Sequence, residues 1–200
     1  MKKIENNTLI IDVVDNKIVK KIKKIIKYCD KNNFNVKFNI NNKELDKSLK
    51  EVEKALNIKD KEKRYNYIYD RICFDLDEKI KTNYCEFCND ICFRDREKNN
   101  NHKNGCCECA GRGKCKYLIN SECTMKTCMA CKLFTCPALK KKGIKQSIND
   151  FVLSNFFDSK EKYILENSFW TPKEIVMERL LKKKYISPFK EVQNEKKYMK

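Results

Sequence analysis

Eleven of the thirteen cysteines in this 200-residue chain fall between Cys85 and Cys136, and that crowding limits how the middle of the chain can become ordered. The stretch CEFCNDICFRDREKNNNHKNGCCECAGRGKCKYLINSECTMKTCMACKLFTC has few large apolar side chains and several turn formers, so burial alone is not enough to hold it. Cross-links through its sulfurs must supply the rest. Two CxxC pairs, Cys85/Cys88 and Cys128/Cys131, have the spacing that brings two thiolates to one metal ion. A two-residue turn converges the side chains while its amides face the sulfurs.

Whether sulfur binds metal or sulfur depends on compartment. The opening MKKIENNTLIIDVVDNKIVKK is basic but carries neither an apolar run of secretory length nor a small-residue cleavage site, which predicts a reducing, cytoplasmic setting. There, dense cysteines are read as ligands before disulfides, and an odd total of thirteen prevents complete internal pairing. The candidate ligands are Cys85, Cys88, Cys92, Cys106, Cys107, Cys109, Cys115, Cys123, Cys128, Cys131 and Cys136, enough for two four-thiolate centres with three sulfurs over. Zinc and iron-sulfur centres both accept four thiolates, and spacing does not separate them. Cys123, Cys128 and Cys131 have the Cx4CxxC spacing of plant-type ferredoxins. CxxCx3C at Cys85, Cys88 and Cys92 reverses the order used by radical S-adenosylmethionine enzymes, so that chemistry is not expected. His102 lies in the polar run KNNNHKN and reads as a solvated loop residue, since thiols are plentiful. Gly105, Gly111 and Gly113 bracket Cys106 to Cys109 and permit tight turns and amide-to-sulfur bonds.

Cys115-KY-Leu118-INSE-Cys123, followed by Cys131-Lys132-Leu133-Phe134-Thr135-Cys136, resembles the end of the YkgJ-type cysteine-rich domain family, bacterial chelators of zinc or iron. That family runs through paired cysteines, a CxxL step with a further cysteine, and a C-(Arg/Lys)-x-Phe-x-C ending. The resemblance covers about thirty residues, and it implies that Cys106 and Cys107 stand for the paired cysteines and Cys115, Cys123, Cys131 and Cys136 for later ligands. The family's CxxCxxCC opening is absent, Cys92 lying too far ahead of Cys106, and so is the Arg-Pro pair before the C-(Arg/Lys) step; Cys128 is additional. Some relatives carry the domain inside flagellin lysine N-methylases, which implies an iron-sulfur-dependent enzyme as one alternative.

The arms are read from periodicity. Thr8 to Val14 is β-branched and apolar and predicts a buried strand. Asp15 or Asn16 then caps a helix with Ile18, Val19, Ile22, Ile25, Ile26 and Cys29 on one side and Lys17, Lys20, Lys21, Lys23, Lys24 and Lys27 on the other. A basic amphipathic helix can lie on an anionic surface, but strand signals on both sides favour a core helix with a solvated face. Asn35 to Ile40 alternates as a half-buried strand, and a second helix follows with Leu45, Leu49, Val52 and Leu56 inward. This β-α-β-α layer has no glycine fingerprint for nucleotides. Lys61 to Ile80 predicts a third helix, on which Tyr65, Tyr67 and Tyr69 interleave with Arg64 and Arg71. Packing is the favoured role for these rings, with nucleic-acid stacking the alternative. Beyond the cysteines come Lys140, Lys141, Lys142 and Lys145. Three apolar helical faces follow: Phe151 to Phe157; Tyr163, Ile164 and Phe169; and Ile175 to Leu181. Helix starts are expected at Ser147/Asp150 and at a capping box Thr171-Pro172-Lys173-Glu174. Trp170 reads as a packing anchor and the tail after Pro188 as frayed.

The expected fold is thus α+β: a small α/β region over residues 1–60, a cysteine-rich metal-binding region with its leading helix over 61–144, and a helical region over 145–200. With 45 Lys and Arg against 28 Asp and Glu, the formal charge is +17, of which the cysteine-rich stretch carries only +3. An anionic partner, nucleic acid or acidic protein, fits that balance, with Arg64, Arg71, Lys140, Lys141 and Lys142 as candidate contacts. Three functional classes follow: a metal-binding protein holding zinc or iron-sulfur centres, a zinc-stabilised nucleic-acid-binding module, and an iron-sulfur enzyme. One histidine and no paired carboxylates limit acid-base catalysis.

Overall fold

The computed structural model describes residues 2–15, 17–40, 43–80, 84–86, 88, 93, 118–120, 122–123 and 128–184. It is a mixed helix-and-strand chain dividing into two compact units, Met1–Ile72 with Ile148–Lys162, and Cys73–Ser147 with Tyr163–Lys200.

The first unit is built on a three-stranded sheet ordered β1 (Lys2–Glu5), β2 (Thr8–Val13), β3 (Asn35–Ile40). β1 escapes a reading by periodicity because it is short and polar. The turn gives it away: Asn6 and Asn7 both adopt left-handed backbone, φ 44° and 59°, as a two-residue hairpin turn requires and as asparagine tolerates. β2 pairs antiparallel with β1 and parallel with β3, so helix α1 (Lys17–Asn32) is the crossover of a β-α-β unit. The stretch read as a buried strand forms β2, in which Leu9, Ile11 and Val13 are buried, while Asp12, and Val14 just beyond its end, are exposed. Alternating burial along β2 and β3 is what the pleat gives a strand with one face toward the core.

The Asp15 carboxylate accepts from the Lys17 amide at 2.9 Å and opens α1. Asn33, at φ 52°, closes it, with Phe34 N–H returning to the Cys29 carbonyl at 3.0 Å. Ile18, Ile22, Ile25, Ile26 and Cys29 are buried along its inner stripe; Cys29 is a core residue, as expected. Helix α2 (Lys43–Asn57) buries Leu49, Val52 and Leu56 and does a second job at the edge of β3. Asn57 accepts from Val36 N–H at 3.0 Å and donates to its carbonyl at 3.3 Å, and Glu53 accepts from Phe38 N–H at 2.8 Å. Side chains thereby take the place of a further strand and close an edge that would otherwise invite pairing.

Helix α3 (Lys61–Ile80) buries Tyr65, Ile68, Tyr69, Ile72 and Leu76. Tyr65 packs edge-on against Phe157 at 5.0 Å and donates to the buried carboxylate of Glu161 at 2.8 Å.

The stretch expected to start an α-helix at Ser147 instead forms two 3-10 segments, Ile148–Asp150 and Val152–Phe156. Ile148, Phe151, Ser154 and Phe157 are buried at intervals of three, with Leu153 buried beside them, and a three-residue repeat stays on one face at three residues per turn. The following helix, α6 (Ser159–Asn167), opens with a reciprocal capping box: Glu161 N–H donates to the Asp158 carboxylate at 2.9 Å, and Asp158 N–H to that of Glu161 at 2.8 Å.

The second unit contains a small hairpin, β4 (Leu118–Ile119) with β5 (Glu122–Cys123), and the short helices α4 (Met129–Leu133) and α5 (Pro137–Lys141). Helix α7 (Lys173–Lys182) buries Val176, Met177 and Leu180. The capping box expected at its start is not made: Pro172 occupies the N-cap position, and the Thr171 hydroxyl donates instead to the Phe169 carbonyl at 3.1 Å. Among the described residues no helix is long and apolar enough to cross a membrane.

Candidate metal centre

Cys128 stands at the N-cap of α4 in extended backbone, φ −100° and ψ 99°, and Cys131 follows one turn later. The turn brings the two thiols into hydrogen-bonding contact. Three residues of a distant loop complete the surroundings of Cys128. Its S–H donates to the Ser168 carbonyl at 3.4 Å, and the backbone N–H groups of Trp170 and Thr171 act on the same sulfur. Trp170 takes left-handed backbone, φ 55°. Such a kink lets successive amides converge on one anion.

These groups hold the Cys128 thiol at about 6, against 9.0 for an ordinary thiol. The hydrogen bond from Cys131 is the largest cause; burial works against it, and the amides of Cys131, Trp170 and Thr171 assist. Cys128 is only 1% exposed. Cys128 is therefore a buried sulfur that donates to one carbonyl and is itself faced by directed donors, which favour its ionised form against the cost of burial.

Two buried cations brace this pocket. Arg179 of α7 donates to the Ser168 and Thr171 hydroxyls at 3.3 and 3.4 Å, fixing the loop that supplies the amides. Lys132, between the two cysteines' turn and α5, buries its side chain against Asp77 of α3. Phe134 packs edge-on with Phe169 at 6.0 Å.

A second grouping of sulfurs forms around Phe93. Cys136, Leu139 and Phe93 are buried together, with Cys85 packed against them. The Phe93 amide donates to the Cys85 carbonyl at 3.0 Å. Cys136 caps α5, its sulfur accepting from Leu139 N–H at 3.5 Å, with Pro137 at the first helical position. Cys88 is exposed. Of the remaining candidate ligands, Cys92, Cys106, Cys107, Cys109 and Cys115 lie outside the described residues, as do His102 and the three nearby glycines, and Cys123 is placed by its backbone in β5. Among the described residues no three Cys, His, Asp or Glu side chains converge as a metal site.

No family model, curated protein or solved structure matches this chain.

The residues named as phosphate contacts are placed differently from one another. Arg64 is 9% exposed and binds Asp30 at 2.8 Å and the Ile58 carbonyl at 2.8 Å. Arg71 lies beside Glu51 at 3.8 Å. Lys140 and Lys141 are exposed on α5, while Lys142 pairs with Glu86 at 2.9 Å and sits 3.5 Å over the Phe93 ring. Ser168, Trp170, Thr171 and Arg179 carry no local signal of their part near Cys128. Only the fold brings a loop forty residues downstream onto that sulfur.

Proposed function

We propose that this is a metal-binding protein whose cysteine-rich segment holds zinc or an iron-sulfur centre, with Cys128 and Cys131 as two of its thiolate ligands. The observation that carries this reading is the dry, amide-lined sulfur of Cys128 in contact with Cys131. A buried thiolate is costly unless donors or a cation compensate it, and a CxxC pair at a helix start presents both sulfurs to one side. The donor set suits a soft, four-thiolate ion and lacks two ligands, which the cysteines between Cys85 and Cys123 are numerous enough to supply.

Anaerobic purification followed by metal analysis tests it. Zinc or iron is expected in stoichiometric amount, an iron-sulfur centre announcing itself by visible colour, and the content should fall in a Cys128→Ala/Cys131→Ala variant. Protein recovered empty of both metals, with its sulfurs joined to one another, would overturn the reading and make Cys128/Cys131 a redox dithiol.

A further inference from the structure

The lysine excess of the chain is not spread evenly over its helices. Helix α1 carries seven lysines and a single acidic residue, Asp30, whereas α2 has four lysines against four acidic residues and α3 five basic against five acidic. On α2 the opposite charges also meet, Lys50 with Asp46 at 2.6 Å and Lys54 with Glu51 at 3.0 Å. A compositional bias toward lysine would load all three helices alike. It does not explain one helix with seven lysines and one acidic residue.

The placement of those lysines follows from the fold. Because Ile18, Ile22, Ile25, Ile26 and Cys29 are buried, the opposite side of the helix is set outward, and Lys17, Lys20, Lys24, Lys27 and Lys31 recur there at three- and four-residue steps, all exposed. They form one line about 21 Å long at 1.5 Å per residue, flanked by Lys21 and Lys23. The carboxylates nearest in sequence are spent locally. Asp15 caps the helix and meets Lys17 at 3.6 Å, and Asp30 binds Arg64.

We propose that this face of α1 is a docking surface for the phosphate backbone of a nucleic acid, read without regard to base sequence. One strand of a duplex presents a charge every 3.4 Å along its axis, so the lysine line matches about six phosphates. Lysine suits such a contact because it acts as a point charge that needs no fixed partner geometry. Tyr28, 46% exposed at the margin of the same face, offers a ring edge beside it.

The competing anionic partners fit less well. An amphipathic helix binds a lipid surface by sinking its apolar side among the acyl chains, and the apolar side of α1 is already committed to the core. Interfaces with proteins are built around aromatic and arginine anchors and are depleted in lysine, and this face has no arginine and one partly covered tyrosine.

Fluorescence anisotropy with a labelled mixed-sequence DNA duplex over a salt series tests the proposal on the full chain. Binding should weaken steeply with salt. A Lys20→Gln/Lys24→Gln/Lys27→Gln variant should bind about tenfold or more weakly at low salt and lose about 2–3 from the slope of log K against log salt, since each phosphate contact contributes about 0.9. The three side chains are exposed, so circular dichroism should be unchanged, and replacing the same lysines by arginine should keep the binding. A Lys145→Gln/Lys160→Gln/Lys184→Gln variant removes equal charge at exposed positions elsewhere and should leave the slope nearly intact. The proposal is overturned if both glutamine variants lose the same affinity, if the α1 variant binds as the parent does, or if phosphatidylserine vesicles or polyglutamate bind more tightly than the duplex. This outcome is independent of metal content, which is measured separately.

Discussion

At Cys128 two opposing effects meet on one atom. Burial pushes the thiol up, and the Cys131 hydrogen bond with three amides pulls it further down, leaving it at about 6. Because the folded value lies below the ordinary 9.0, the metal-free protein gains stability from this thiolate in full above pH 9.0; the gain shrinks as pH falls and is gone once pH drops through about 6. Thiolate ultraviolet absorbance of the metal-free protein should accordingly show one group titrating near pH 6. In Cys131→Ala that midpoint should rise toward the ordinary thiol range, because the largest downward contribution has been removed while burial persists. A midpoint that stays put would mean that the amides alone hold the sulfur. Lys132 is a different case at the same scale. It sits inside the C-(Arg/Lys)-x-Phe-x-C run, yet its ammonium is committed to Asp77, a role that spacing between cysteines does not reveal.

Among elements, helix α2 shows how a side chain can finish a sheet. Asn57 serves both the amide and the carbonyl of Val36, and Glu53 serves the amide of Phe38. Replacing Asn57 by alanine leaves two half-buried backbone groups without those partners, so urea denaturation should show a loss of about 1–3 kcal/mol, with greater aggregation as the β3 edge opens. A loss near zero would mean that water replaces the side chain at no cost. The helices themselves were legible wherever their period was 3.6: α1, α2 and α3 fall where Ile22, Leu49, Val52, Ile68 and Ile72 recur, and these residues are buried. The structure departs from that period at Ile148 to Phe157, where 3-10 turns form in place of an α-helix, and at Thr171, whose hydroxyl is bonded to Phe169 instead of capping α7. The capping box that does form, Asp158 with Glu161, has the same spacing. Both sites satisfy the pattern, and only the surrounding packing selects between them.

For the molecule as a whole, each unit has its own apolar core. The first is fed by β2, β3, α1, α2 and the start of α3; the second buries Leu76, Met129, Leu133, Val176, Met177 and Leu180. The proposed ligands Cys128 and Cys131 belong to the second alone. Chelation followed by zinc readdition, monitored by hydrogen exchange, should therefore slow amides at residues 128–134 and 168–171 on metal binding and leave Leu9, Ile11, Val36 and Phe38 unchanged. Equal changes at both sets would contradict a metal-dependent second unit.

Much of the helix and strand order and the crowding of thiols could be read directly from the chain, because helix and strand periods and CxxC spacing involve residues within a few positions of one another. The company each sulfur keeps could not. Which amides face Cys128, why Cys136 packs with Phe93 and Cys85, and why six surplus positive charges end on one outward face of α1 all depend on contacts between distant segments. Those contacts are chosen by the burial of the core as a whole, a sum over many side chains that no short stretch encodes.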